Sequence, residues 1–233
     1  GLFYFGIFAN KDVPWLAESM AYTKEDFTEL TIKVRKEAAW SDGTPFTSKD
    51  VVFNCQGQMT NSKLAYNANF AAFVKDVKAT DDQTAVITFS QPAPRFKFEV
   101  LSLKFDTGIE MMPEHVLSKE ADVNAFPGGL DMPHSGPYTC VVWDQNQKIF
   151  DLREDWWAVK AGVAEVPAVK RIVMTNIGVQ VGQNMDTVAQ RVVNNWGAAL
   201  LMLLMRKTRL SKAEICRSMA SMSLAPLAER KPS

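Results

Sequence analysis

The chain has 233 residues, 47% of them apolar and 22% charged, with 26 basic residues against 26 acidic ones. That composition suits one large packed domain or two small ones and argues against a disordered chain. Zero net charge gives no general pull toward nucleic acid or acidic lipid, and the longest apolar run, Trp196 to Met205, is about half the length of a membrane-spanning helix.

Read in chain order, the aromatic-rich segment Gly1 to Asn10 suits a short strand or helix. Lys11 to Pro14 reads as a turn, Trp15 to Met20 as a short structured segment, and Thr23 to Phe27 as another turn. Leu30, Ile32 and Val34 then alternate with Thr31, Lys33 and Arg35, the period of a strand with one buried and one wet face. Asp42-Gly43 signals a turn, and Pro45 keeps Thr44 extended.

Thr47 falls where an N-cap is needed. Its hydroxyl can accept from the amide of Asp50, whose carboxylate can reach back to the amide of Thr47, closing a capping box. Phe46 and Val51 have the spacing of a hydrophobic staple, and the helix is expected over about 48–58. Ala71 to Pro94 reads as a two-stranded unit turning at Asp81-Asp82-Gln83. Arg95 to Leu103 is read as helical, and Pro113 as the start of a helix reaching about Lys119. Asn124 to Pro137 is loop. A hairpin follows, with strands Tyr138–Trp143 and Lys148–Arg153, then a strand over Lys170–Ile177. Met185, Val188, Ala189 and Val192 form a helical stripe, and Ser211 with Glu214 opens a last short helix.

Residues 200–233 carry seven basic residues against two acidic ones, a net +5 that the rest of the chain balances. This marks the tail as different in origin or role.

Chemistry-bearing patterns are sparse. The two histidines, His115 and His134, and the three cysteines, Cys55, Cys140 and Cys216, show no metal-ligand spacing, so no metal or cofactor is expected. The cysteines read as small buried side chains. Nucleophile-elbow, dinucleotide and P-loop signatures are missing from the sequence. Asp42, Asp50, Asp81 and Asp82 fall in turns or caps, where backbone roles explain them. No catalytic residue is assigned, and a hydrolytic enzyme is the weakest of the readings. Aromatic residues such as Trp15, Trp40, Trp143, Trp156 and Trp157 could stack on a ligand, but each is weighed as core first.

The stretch Trp40-Ser41-Asp42-Gly43-Thr44-Pro45-Phe46-Thr47-Ser48-Lys49-Asp50-Val51-Val52-Phe53, with its surroundings, closely resembles the family 5 extracytoplasmic solute-binding proteins of ABC importers. The matching pieces run in family order. They include Leu16-Ala17-Glu18-Ser19 (with Met20 where Trp is usual), Leu30 to Arg35, Val77 to Phe89 and Gln91-Pro92. Ser135-Gly136-Pro137-Tyr138, Leu152 to Trp157 and Val169 to Met174 continue the resemblance, which covers about residues 10–195 and breaks near Asn195.

The resemblance implies an α/β (mixed α+β) fold of the periplasmic-binding-protein type II, here incomplete. Residues 1–133 would be the accessory lobe, 134–195 part of the first main lobe, and 196–233 an atypical tail, read first as the product of a frame slip or truncation. The chain is expected to lack its true N-terminus and its second main lobe. The implied function is the substrate-binding component of an importer for peptides or oligosaccharides, a non-enzyme. It would act as a monomer with a membrane permease, in the periplasm or outside the cell, lipid-anchored in some full-length forms. A nonfunctional or structural fragment is the alternative. Loops near Tyr66–Phe70 and Phe105–Thr107 are the places where accessory lobes touch ligand, so Tyr66, Phe70 and Phe105 are the candidate ligand-binding residues.

Overall fold

The alternation at Leu30, Ile32 and Val34 becomes the second strand of a four-stranded antiparallel sheet. In the computed structural model, which describes residues 1–6, 9–104, 107–120, 123 and 129–175, its strands are β3 (Ala17–Tyr22), β4 (Glu29–Val34), β5 (Val74–Asp81) and β6 (Thr84–Phe89), in the order β3-β4-β6-β5. Leu30 pairs with Ile87 and Ile32 with Ala85, so both strands turn their apolar residues to one face. All four side chains are fully buried.

Helix α1 (Ser48–Thr60) covers that face, with Val51 and Cys55 in the same core. Full burial of a valine like Val51 contributes about 1.5–3 kcal/mol. The predicted capping box is present: the Asp50 carboxylate accepts from the Thr47 amide at 2.8 Å. The staple residues Phe46 and Val51 are both buried. The helix start is also tied to the sheet, because the Ser48 amide donates to Asp82 O at 2.9 Å and its hydroxyl to Asp81 O. The helix runs two residues past its expected end.

Three expectations need correction. Lys11–Pro14 is not a turn but strand β2, which pairs antiparallel with β1 (Phe3–Gly6). Its backbone bonds outweigh its polar sequence. Residues 67–73 form a helix, α2 (Asn67–Phe73), so Ala71 to Phe73 precede the hairpin rather than opening it. Arg95–Leu103 contains one π-helical turn, Lys97–Leu101, and then strand β7 (Ser102–Leu103), which pairs parallel with β1.

Helix α3 (Glu114–Leu117) is shorter than expected, with Pro113 at its cap. The hairpin strands β8 (Tyr138–Trp143) and β9 (Gln147–Leu152) match expectation, and β10 (Arg171–Thr175) joins them in the order β10-β9-β8. Helix α4 (Trp157–Lys160) lies between β9 and β10 in the chain. The helices expected around 185–192 and 211–222 lie outside the described residues.

Two compact units divide the chain: Gly1–Val141 with Ile149–Ile172, and Val142–Lys148 with Val173–Ser233. In the second unit the Lys148 ammonium sits 3.7 Å from the centre of the Trp143 ring. The core described above, and the cleft below, belong to the first. The expected boundary at 133/134 falls inside that first unit. Cys55 is fully buried, and burial pushes its thiol up to about 12, an inert packing group.

A candidate solute cleft

Within the first unit, the sheet β2-β1-β7 borders a cleft of about 770 Å³. Trp15 is central to one side. Its ring meets Tyr4 edge-on at 5.7 Å and lies 5.6 Å from Trp156 and 5.9 Å from Trp157. Both of those buried indoles donate to the carbonyl of Ser135, each at 3.0 Å, as buried Trp N–H groups must find an acceptor. Arg153 holds the same segment from behind, donating to Gly136 O at 3.2 Å while it pairs with Asp155. The segment Met132–Tyr138 therefore forms a fixed rim, and the Ser41 hydroxyl accepts from the His134 amide at 3.1 Å.

The opposite wall is the irregular stretch Glu110–Pro113. It is held by α1, through two buried polar residues one turn apart. Asn54 donates to Met112 O at 2.8 Å and accepts from Met112 N at 3.0 Å, acting toward this stretch as a neighbouring strand would. Asp50 accepts from the amides of Thr47 and Glu114 and from the indole N–H of Trp40. Burial pushes its carboxyl above the usual range despite these three bonds. Trp40 itself lines the cleft. The family-like stretch thus supplies one lining side chain, Trp40, and one of the two residues that hold a wall, Asp50, with Asn54 directly after it. Met112 also borders a second hollow of about 510 Å³, on the α1 side of the wall, with Phe53 and Leu64.

Outside the cleft, the Asp42–Gly43 turn meets α3. His115 Nε2 lies 2.7 Å from the Asp42 carboxylate. Burial opposes ionisation of Asp42, but bonds from Thr44 and His115 outweigh it and hold the carboxyl below its ordinary value.

Of the candidate residues from the sequence, Tyr66 and Phe70 lie outside the lining of this cleft. Tyr66 is not in a loop end but at the N-cap of α2, half-buried, and its hydroxyl accepts from the Gly108 amide. Gly108 has φ +105°, and an added Cβ there would meet Ser102 O at 2.6 Å. Phe70 is fully buried on α2, edge-on to Phe96 at 5.2 Å. Phe105 lies outside the described residues, but its flanks are joined: Lys104 and Thr107 exchange backbone bonds of 2.9 and 2.8 Å. Tyr66 thus braces the chain at Gly108, and neither Tyr66 nor Phe70 is among the described residues of the cleft. Sequence reasoning missed Glu110, Met111, Met112 and His134, which carry no local pattern. Among the described residues no cluster of His, Cys, Asp and Glu could hold a metal ion.

The model of the bacterial extracellular solute-binding proteins, family 5 (middle region), matches residues 11–195. The chain belongs to that family. Relatives of this family 5 protein include the periplasmic oligopeptide-binding protein OppA of Escherichia coli, 28% identical over 153 residues, covering 58% of this chain and 27% of the relative. The probable deoxycholate-binding periplasmic protein YgiS of E. coli is 30% identical over 133 residues, with 50% and 24% covered. Among solved structures, the mannohexaose-bound periplasmic oligopeptide-binding protein of Thermotoga maritima aligns with TM-score 0.65 and 25% identity, over 80% of this chain and 34% of that one. NikZ of Campylobacter jejuni, in complex with Ni(L-His), aligns with TM-score 0.62 at 24% identity and shares the fold. The family 5 chain spans about a quarter of the length of the curated relatives it matches.

Proposed function

We propose that this chain is part of the substrate-binding component of an ABC importer for peptides or oligosaccharides. The observation that carries the reading is the cleft: an aromatic-lined hollow of about 770 Å³ in a chain whose family captures solutes. Its size suits a small solute. Residues 1–133 act as the accessory lobe, 134–195 as part of the first main lobe, and 196–233 as an atypical tail. The protein works as a monomer that delivers solute to a membrane permease, either in the periplasm or, lipid-anchored in its full-length form, outside the cell. It binds no nucleic acid and catalyses no reaction. Tyr66, Phe70 and Phe105 provide a further ligand contact of the accessory lobe.

The test is a melting-temperature series of the 233-residue chain with dipeptides, cello-oligosaccharides and nickel chelates. A dose-dependent rise with one class supports the reading. No shift with any of them at millimolar concentration makes the chain a structural piece that does not bind on its own.

A further inference from the structure

Glu110 gives the cleft its charge. Among the described lining residues it is the one formally charged side chain. It lies exposed at the edge of the cleft and makes no hydrogen bond or ion pair with the described residues. Its field nevertheless reaches into the cleft. After burial, the Glu110 charge is the second influence on the Tyr4 phenol, raising it further.

The other polar groups are neutral or engaged. Burial and the nearby Arg153 charge hold His134 below the ordinary imidazole range, so it is uncharged at neutral pH. Tyr138 donates its hydroxyl to Val169 O at 2.8 Å, and Ser135 O already accepts two indoles.

Apart from the Tyr4 phenol, what remains is apolar. Trp15, Trp40, Met111, Met112, Met132 and Leu103 present rings, thioethers and methyl groups. A sugar chain placed here would bury most of its hydroxyls against groups that cannot bond them, which is unfavourable. An apolar anion would bring a second negative charge toward Glu110. An apolar cation meets neither penalty. Its body fills an adaptable methionine-rich wall lined also by Trp15 and Tyr4, and its charge reaches the Glu110 carboxylate.

We infer that the cleft selects an apolar solute bearing a single positive charge, an amine held at Glu110. This rests on the solute-binding reading above and narrows it.

The test titrates the full chain with Phe-Phe amide and with its N-acetyl form, which differ in that one charge. Mannohexaose and deoxycholate serve as the neutral-polar and anionic comparisons. The free amine binds about threefold to fivefold tighter than the acetylated form, the effect of one solvent-exposed charge pair. Glu110→Gln brings that ratio close to one, and so does about 0.5 M salt. Because the amine and acetyl forms are compared on the unaltered chain, the result does not depend on how the variant folds. Equal binding of the two peptides, an unchanged ratio in Glu110→Gln, or tighter binding of mannohexaose or deoxycholate overturns the inference while leaving solute binding intact. Binding of none of the four at millimolar concentration overturns both.

Discussion

Replacing Asn54 with alanine tests whether α1 holds the cleft wall. Asn54 is 4% exposed, and its amide bridges Asp50 O and both backbone groups of Met112. Alanine leaves the Met112 N–H and C=O without these partners, on a segment that belongs to no strand. Each lost bond of this kind contributes about 1 kcal/mol, and an unsatisfied buried group costs about 1–3 kcal/mol. The expected loss is therefore about 2–4 kcal/mol. At about 2–4 °C per kcal/mol for a chain of this size, the melting temperature falls by roughly 5–15 °C. Urea unfolding gives the free energy, and hydrogen exchange at the Met112 amide gives the location. Asn54→Asp is informative beside it, because the acid keeps an acceptor for Met112 N but turns oxygen toward Met112 O; it is expected to be at least as damaging. A loss below about 0.5 kcal/mol, with Met112 exchange unchanged, would refute the wall-holding role.

Three further outcomes follow from the same geometry. Gly108→Ala places a methyl 2.6 Å from Ser102 O at a φ of +105°, so the turn that Tyr66 braces must shift; a loss of unfolding free energy of about 2 kcal/mol or more, read from urea unfolding, is expected. Thr47→Ala removes the capping hydroxyl of α1 and lowers stability by about 1 kcal/mol, measured by thermal unfolding. Asp42 has a folded-state carboxyl below its ordinary 3.8, so its contribution is present above that value and fades as pH falls through the lower folded value. The stability gap between the native chain and Asp42→Asn should therefore close on acidification below 3.8, and a gap that widens instead would contradict the assignment.

The elements legible in the sequence are those fixed by neighbours. Leu30, Ile32 and Val34 announce their buried face by period alone, and the Thr47–Asp50 box needs only four residues. The hairpin from Tyr138 to Leu152 carries its own turn, where Asp144 accepts from the amides of Asn146 and Gln147. Strand β2 is illegible because Lys11–Pro14 is nearly all solvent-facing and exists through its pairing with β1. Helix α2 has seven residues and no side-chain cap bond, so nothing local marks its start. The cleft is the least legible feature. Its wall is irregular, and the residue that holds it is 58 positions away in the chain. The chosen residues Tyr66, Phe70 and Phe105 were reached by resemblance, whereas Glu110 and His134 have no signature that a local reading could find.

Met112 stands between two hollows, the cleft and the space beside α1. Its side chain, an unbranched thioether, lines both. Oxidation of its sulfur to the sulfoxide would place a polar oxygen in a wall that both spaces share. The volume open to a solute is thus not a fixed property of the scaffold at this point. It depends on the rotamer and chemical state of a single methionine, whose backbone is clamped by Asn54 while its tip is left to adapt.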